Sequence, residues 1–211
     1  MRGRFWVSAA VALAVLATNS SIALGQQSAY PVPIATPIIP ADAGKLTVTS
    51  TTFPNGGKFP VANIGSSAIA CNPQTPGAEN VSPEISWTPG PPGTASYAVT
   101  MFDVDAPTGV GFWHWIVFNI PPTVTSLALN AAATGMPAGS IMGTNDGGRI
   151  GYRGPCPPVG APAHRYYITV TALDKMYSGF GTEVGGARLA FLMSVASKVL
   201  ARGQYSGAAS R

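Results

Sequence analysis

The chain has 211 residues, of which only 9% are charged, and its 12 lysines and arginines outnumber its 8 acidic residues. The basic residues form no cluster, which argues against a nucleic-acid partner. After the first 25 residues no apolar run approaches the roughly 20 residues of a membrane-spanning helix, and the length fits one domain with a substantial core.

Residues 1–25 have the pattern of a secretory signal peptide. Two arginines precede an apolar stretch over residues 6–17, and a small-residue cleavage box over residues 23–25 comes before Gln26. A membrane anchor is the alternative, although the apolar stretch is short for one. Removing the two arginines with this segment lowers the net charge from +4 to +2. We therefore expect an exported protein, periplasmic or secreted, with no transmembrane span in the mature chain.

The segment after the signal peptide has two parts. Residues 26–44 are rich in proline and alanine and lack periodicity, which predicts an extended arm. Residues 45–207 are the expected folded domain, because they contain short segments rich in β-branched and aromatic residues. The predicted strands are 45–53, 84–87, 96–102, 114–119 and 166–173. Strands in such succession predict a mainly β protein, either an all-β sandwich or a similar layered sheet.

The remaining segments are expected to connect or cover these strands. Residues 65–83 and 124–150 are polar or glycine-rich and predict loops, the second with a weak strand at most. Residues 184–201 carry apolar side chains on one helical stripe and basic residues near their end, with Gly203 as a stop. This pattern predicts one helix that packs its stripe on the sheet.

The two histidines of the chain lie beside unusual turns. Asp103 and Asp105 follow the third predicted strand and share a face if that strand continues, until Pro107 turns the chain. His114 begins the next strand, and His164 lies just before the last. A carboxylate near an imidazole fixes its tautomer or favours its protonated form, and both forms present N–H groups toward an anion. This constellation predicts a polar pocket that holds a phosphate.

The loop over residues 151–158, rich in glycine and proline, provides further groups for this pocket. The backbone N–H groups of Gly154 and Cys156 are candidate donors to an anion, and Tyr152 and Trp113 are candidate apolar walls. The pocket would then combine polar donors with an apolar lining, as small-ligand sites do.

Two other interpretations of the polar residues stay open. Either histidine could be a satisfied core residue, with the aspartates capping turns. A Ser-His-Asp hydrolase is the main rival among enzymes, but the sequence contains no Gly-x-Ser-x-Gly elbow.

Cys71 and Cys156 are the only cysteines of the chain. In an exported protein an even count is compatible with one disulfide, and two buried free thiols are the equal alternative. Together with the two histidines they could hold zinc, but neither a CxxC nor an HxxxH spacing is present. We expect no metal and no cofactor.

Four ordered motifs stand out in the chain: Asp103-Val-Asp-Ala-Pro107, Gly111-Phe-Trp-His-Trp115, Gly151-Tyr-Arg-Gly-Pro-Cys-Pro-Pro158 and His164-Arg-Tyr166. In order and spacing they resemble the phosphatidylethanolamine-binding protein family, also called Raf kinase inhibitor-like, and especially its bacterial branch. An upstream segment, Asn80-Val-Ser-Pro83, is similar as well. The chain departs from the family at Val104, where a proline is frequent between the two aspartates.

The resemblance implies a Greek-key antiparallel β-sandwich with a C-terminal helix packed on it, and a small cavity for phosphate or the head group of a phospholipid. By motif, Asp103 and His114 would line the cavity, His164 would complete its anion side and Gly154 would offer a backbone donor. A disulfide from Cys71 to Cys156 would tie the long loop to the rim of the pocket. The supporting positions would be Asp105, Pro107, Trp113, Tyr152, Cys156, Pro157 and Tyr166.

These observations lead to one expected function and two alternatives. We expect an exported binding protein, not an enzyme, for phosphate or a phosphoethanolamine-like ligand, with peripheral contact to phospholipid compatible with that role. Because the family also includes kinase and protease inhibitors, an inhibitor or modulator of a protein partner is the alternative. A hydrolase ranks third.

Overall fold

The structure is a computed structural model, which describes residues 43–67 and 71–211. The expected signal peptide and nearly all of the expected arm lie outside the described residues. Ten strands occur within the described part of the chain: β1 (Gly44–Lys45), β2 (Val48–Thr49), β3 (Gly57–Lys58), β4 (Ile85–Trp87), β5 (Ser96–Asp103), β6 (Phe112–Ile120), β7 (Ser126–Leu127), β8 (Ile141–Met142), β9 (His164–Leu173) and β10 (Val199–Ala209). The same part contains two α-helices, α1 (Ala131–Thr134) and α2 (Gly186–Val195), and one 3-10 turn at Val61–Asn63.

Hydrogen bonds order these strands into two sheets. The larger sheet has the order β1-β10-β9-β5-β6-β8, and β3 also pairs with β10. β1 and β3 run parallel to β10, while the other neighbours in this sheet are antiparallel. The smaller sheet has the antiparallel order β2-β4-β7. The expectation of a mainly β protein is therefore confirmed.

Two apolar clusters cover the two faces of the larger sheet. One contains Val99 of β5 together with Ile85 of the smaller sheet, so it fills the space between the sheets. The other contains Ala98 of β5 together with Leu189 of α2. Neighbouring side chains of a strand point to opposite faces, so the larger sheet is covered by the smaller sheet on one face and by α2 on the other.

The first predicted strand is divided in the structure. The expectation of one strand over residues 45–53 is wrong, because this segment contains the end of β1 and the short β2. β1 pairs with β10 in the larger sheet, whereas β2 pairs with β4 in the smaller one. A segment that passes from one sheet to the other within a few residues cannot continue as one strand.

The predicted helix is present but shorter than expected. α2 ends at Val195, and the predicted helical residues 199–201 belong instead to β10, which pairs antiparallel with β9 along its length. Gly203, the expected helix stop, lies within β10, where an added Cβ would overlap the carbonyl group of Leu46. The last element of the chain is therefore a strand. No helix within the described residues is long and apolar enough to cross a membrane.

Candidate functional site

Neighbouring strands of the larger sheet bring the predicted polar residues together. Asp103 ends β5 and pairs with Tyr166, which follows His164 by two residues at the start of β9. His114 lies in β6, on the other side of β5. The exposed fractions of Asp103, His114 and His164 are 3%, 4% and 6%, so these three side chains are removed from bulk water.

A β-bulge at His114 determines where the neighbouring side chains point. In the pairing of β5 with β6, Trp113 and Trp115 have partners, but His114 between them is skipped. Trp115 belongs to the cluster between the sheets, whereas Trp113 packs on Phe102 in the cluster under α2, with their ring centroids 4.6 Å apart. The extra residue interrupts the alternation of side chains, and the His114 ring lies 5.2 Å from the Tyr166 ring. Trp113 is therefore not the apolar wall that we expected beside His114.

Both oxygens of the Asp103 carboxylate accept hydrogen bonds. Oδ2 accepts from Nδ1 of His164 at 2.8 Å, and Oδ1 accepts from the N–H of Asp105 at 2.9 Å. Nε2 of His114 lies 3.9 Å from Oδ2. Burial on its own raises the pKa of this carboxyl, but the two imidazoles outweigh burial and hold the pKa below its ordinary value of 3.8. Asp103 is therefore ionised at neutral pH and orients the ring of His164.

Hydrogen bonds also fix the tautomers of the two rings. Nδ1 of His114 lies 2.7 Å from the carbonyl oxygen of Arg153, and because a carbonyl only accepts, this Nδ1 carries a proton. The same reasoning places a proton on Nδ1 of His164, which faces the Asp103 carboxylate. Within the described residues, neither Nε2 atom lies at hydrogen-bonding distance from a protein partner. Each Nε2 can therefore serve a ligand, as an acceptor on a neutral ring or as a donor on a protonated one.

Tyr166 lies near both imidazoles and has an unsatisfied hydroxyl. Its ring centroid is 5.2 Å from that of His114 and 6.5 Å from that of His164. The side chain is fully buried, and the hydroxyl has no hydrogen-bond partner within the described residues. Burial, and after it the charge of Asp103 and the nearness of its carboxylate to the hydroxyl, raises the pKa of this hydroxyl above its ordinary value, so the group stays protonated and can donate. A buried hydroxyl without an acceptor costs about 1–3 kcal/mol, which a bound acceptor would offset.

Gly154 differs from the role expected for it. Its N–H donates to Oδ1 of Asn80 at 2.7 Å, so this backbone donor is already engaged. A Cβ at this position would overlap the carbonyl oxygen of Asn63 and would lie 2.5 Å from the backbone nitrogen of Gly65. Glycine is needed here because two backbone segments pack closely, and not because its N–H faces an anion.

Tyr152 and Pro157 fix the position of the loop before β9. The Tyr152 hydroxyl donates to the carbonyl oxygen of Asn63 at 3.0 Å, and the ring packs edge-on against Trp115 with a centroid distance of 5.6 Å. Pro157 is buried, and its carbonyl oxygen accepts from Nε of Arg211 at 2.7 Å. Both residues thus support the loop that contains the backbone partner of His114.

A disulfide joins Cys71 to Cys156 and links this loop to the polar segment 65–83. A cavity of about 300 Å³ lies beside it, and Asp103, His114 and His164 are not among its lining residues. Within residues 43–67 and 71–211, no group of three or more His, Cys, Asp or Glu side chains is arranged to hold a metal ion. The cavity lining from the loop is formed by Arg149, Ile150, Tyr152 and Arg153.

Asp105 and Pro107 lie outside the buried cluster. The Asp105 carboxylate makes a bidentate ion pair with Arg165, with N–O distances of 2.8 and 2.7 Å, which holds the pKa of Asp105 below its ordinary value. Pro107 is exposed. β5 ends at Asp103, so the strand does not continue to Asp105 and the condition for a shared face is not met.

Three residues that the sequence reasoning missed shape the site. Arg153 acts through its carbonyl group, which every residue has, so no sequence signal marks it. Asn80 accepts from Gly154 and has a positive φ of 62°, which asparagine tolerates; its place in the Asn-Val-Ser-Pro segment was the available signal. Arg165 pairs with Asp105 and was marked only by standing next to His164.

Comparison with known proteins gives consistent matches over this part of the chain. The family model for phosphatidylethanolamine-binding proteins matches residues 49–209. The UPF0098 protein YbcL of Escherichia coli K12 is 37% identical over 157 residues, which cover 73% of this chain and 82% of YbcL. The crystal structure of YbcL, described as a new member of the mammalian PEBP family, has a TM-score of 0.71 at 35% identity and covers 80% of this chain and 99% of that one.

Two further proteins extend the range of matches. The structure of a putative phosphatidylethanolamine-binding protein homologue from Chlamydia trachomatis has a TM-score of 0.65 at 27% identity, covering 80% of this chain and 99% of that one. The Mycobacterium tuberculosis protein LppC, named a putative lipoprotein, is 37% identical over 143 residues, or 66% of this chain and 63% of LppC.

Proposed function

The chain belongs to the phosphatidylethanolamine-binding protein family, and we propose that it is an exported protein that binds the phosphate of a small molecule or of a phospholipid head group at Asp103, His114, His164 and Tyr166. The observation that carries this proposal is the buried Tyr166 hydroxyl, which has no partner within the described residues. The Tyr166 ring lies 5.2 Å and 6.5 Å, between centroids, from the two imidazoles. Among the described residues neither Nε2 atom has a hydrogen-bond partner, and Nε2 of His114 lies 3.9 Å from the Asp103 carboxylate. A phosphate has enough acceptor oxygens to satisfy all three donors.

An anion fits this cluster when both of its imidazole rings are protonated. Nδ1 of each ring already carries a proton, so an Nε2 atom can donate only when its ring is protonated. Two protonated rings and the Asp103 carboxylate leave one positive charge, which a phosphate neutralises through charge-assisted hydrogen bonds. Arg165 contributes no charge to this balance, because its guanidinium group is paired with Asp105.

The same geometry ranks binding ahead of catalysis. Asp103 and His164 form the Asp-His half of a nucleophile triad, but no hydroxyl or thiol among the described residues is hydrogen-bonded to either imidazole. Both cysteines of the chain are joined in the disulfide. The cluster can therefore hold and protonate an anionic group, and it offers no positioned nucleophile to attack one.

Calorimetric titration of the mature protein with inorganic phosphate and with phosphoethanolamine tests the binding site. His114→Ala and His164→Ala should each weaken binding, and unchanged affinity in both variants would remove the histidines from the site. Tyr177→Phe is a control outside the cluster. Tighter binding of phosphoethanolamine than of phosphate would identify a head group as the ligand, and equal affinity would identify the phosphate alone.

Export is the second part of the proposal. It is supported by the pattern of residues 1–25, by a disulfide of the kind that persists in oxidising compartments, and by a relative named a putative lipoprotein. Both cysteines lie far beyond the expected cleavage box, so we expect no lipid at the new N-terminus. Mass spectrometry of the exported fraction should find a chain that begins at Gln26. A chain that begins at Met1 and stays in the cytosolic fraction would contradict export.

A further inference from the structure

A second group of unneutralised charges lies in the cavity beside the disulfide. Arg149 and Arg153 both line this cavity of about 300 Å³, and none of its lining residues in the described part of the chain is acidic. Within the described residues the ion pairs are formed by Asp103 and Asp105, so neither of these guanidinium groups has an acidic partner. Asp146, which is close in sequence, uses Oδ2 to accept the N–H of Trp113 at 2.8 Å.

Arg153 is held at the cavity by several contacts. Its guanidinium group lies 5.2 Å from the centroid of the Phe112 ring, and it packs so closely on Gly147 that a Cβ there would overlap Nη1. Its N–H donates to the carbonyl oxygen of His114 at 2.9 Å. Burial, and then the charge of Arg149, lowers the pKa of Arg153 below its ordinary value, which shows that the two cations repel each other. An anion between them would offset this repulsion.

The other side chains that line the cavity are uncharged, so charged contacts with a ligand there would come from the two arginines. Asn80 is occupied by the N–H of Gly154, and Asn145 donates from Nδ2 to the carbonyl oxygen of Gly151 at 3.1 Å. Ser66 and Ser67 add hydroxyl groups to the lining. The ring of Tyr152, the aliphatic side chain of Ile150 and the sulfur of Cys71 form an apolar part of the wall. The cavity thus offers two guanidinium groups beside an apolar surface.

We propose that this cavity is a second anion-binding site, which takes a small molecule with a phosphate or carboxylate group on an apolar body. The forked donors of arginine match both of these oxyanions in a bidentate manner, and the apolar wall accommodates the rest of the ligand. This site goes beyond the phosphate site at the histidines, because none of the four residues proposed there lines the cavity. The two sites are connected through Arg153, whose backbone carbonyl holds the ring of His114.

An NMR titration of the intact mature protein with phenyl phosphate and with benzoate tests this proposal. The amide signals of Ile150 and Gly151 should shift and saturate with at least one of the two probes. Arg149→Gln and Arg153→Gln should each weaken that binding by about tenfold or more. Arg188→Gln is the matched control, because Arg188 is exposed and also lies over an aromatic ring, 5.3 Å from the centroid of Phe180. Absence of shifts with both probes, or equal weakening in all three variants, would overturn the second site.

A substitution that keeps both charges gives an independent readout. In Gly147→Ala the new Cβ would displace the end of the flexible Arg153 side chain, so phenyl phosphate should bind more weakly while the fold persists. In Gly185→Ala the new Cβ would lie 3.6 Å from the carbonyl oxygen of Thr144, an ordinary contact, and binding should not change. Wild-type affinity in Gly147→Ala, with urea unfolding confirming a folded protein in both variants, would contradict the placement of the ligand at Arg153.

His164→Ala separates the second site from the first. In this variant the shifts of Ile150 with phenyl phosphate should persist, while the binding of inorganic phosphate at the histidines should be weakened. If inorganic phosphate binds as in the wild type, the histidine site is wrong and the cavity site stands. If the shifts of Ile150 disappear, the cavity is not a separate site and the inference fails, whatever happens at the histidines.

Discussion

Replacing Tyr166 by phenylalanine should stabilise the free protein and weaken phosphate binding, two effects of opposite sign from one oxygen atom. The hydroxyl is fully buried and has no hydrogen-bond partner within the described residues. In Tyr166→Phe the ring keeps its place beside the rings of His114 and His164. The substitution therefore removes an unsatisfied donor and changes little else.

The magnitudes of both effects follow from this environment. A buried hydroxyl without a partner costs about 1–3 kcal/mol, so the free energy of unfolding should rise by about 2 kcal/mol. For a domain of this size that corresponds to an increase of about 4–8 °C in Tm. With phosphate bound, the hydroxyl would donate to a charged oxygen, and such a bond contributes about 1.5–3 kcal/mol. Its loss should weaken phosphate binding by about tenfold to a hundredfold.

Urea unfolding without and with phosphate measures both effects in one series. Tyr177→Phe is the matched control, because the Tyr177 hydroxyl lies 2.7 Å from Oγ of Ser197 and is satisfied. This control should lose about 1 kcal/mol of stability and keep its affinity for phosphate. If Tyr166→Phe unfolds at a lower urea concentration than the wild type in the absence of phosphate, the hydroxyl is satisfied in the free protein and the reasoning is refuted.

Three further predictions concern the support of the site. The folded pKa of Asp103 lies below its unfolded value of 3.8, so the stability that its carboxylate contributes is complete above pH 3.8 and is lost as the pH falls through the folded value. Acidification should therefore lower the urea midpoint less in Asp103→Asn than in the wild type, and an equal decrease in both proteins would contradict this origin. Gly154→Ala should lower the free energy of unfolding by about 3 kcal/mol, because its Cβ would lie 2.5 Å from a backbone nitrogen. The control Gly185→Ala should lower it by less than about 1 kcal/mol, and similar thermal midpoints for the two variants would refute the close packing at Gly154. Replacing Cys71 and Cys156 by alanine should lower the free energy of unfolding in urea by about 2–5 kcal/mol, because the bridge spans a sequence separation of 85 residues. Two free thiols in the unreduced mature protein would show that the bridge is absent.

The central strands could be predicted because their own residues favour strands. β5, β6 and β9 agree within two residues with the predictions at 96–102, 114–119 and 166–173, which are rich in β-branched and aromatic residues. β10 could not be predicted in this way, since its second half consists mainly of serine, glycine and alanine, and its start continues the apolar stripe of the preceding helix. It is a strand because β9 pairs with it. The Greek-key order of the strands stays a prediction.

In the candidate site, too, some residues could be predicted from the sequence and others could not. Asp103, His114 and His164 could be found because charged residues are scarce in this chain and these lie beside turns. The bulge that moves Trp113 away from His114 depends on the register between two strands, which no local pattern determines. The engagement of the Gly154 N–H depends on a residue 74 positions away in sequence. Long-range contacts of this kind decided which expected residues lie in the cluster.

The most direct test of the phosphate site records the ring C–H signals of the histidines during a titration with inorganic phosphate. The chain has only two histidines, so His114→Ala assigns both signals. Both signals should shift and saturate with one Kd, the same Kd that calorimetry gives, because both Nε2 atoms contact the same ligand. Phosphate binding that leaves both histidine signals unmoved would contradict the site.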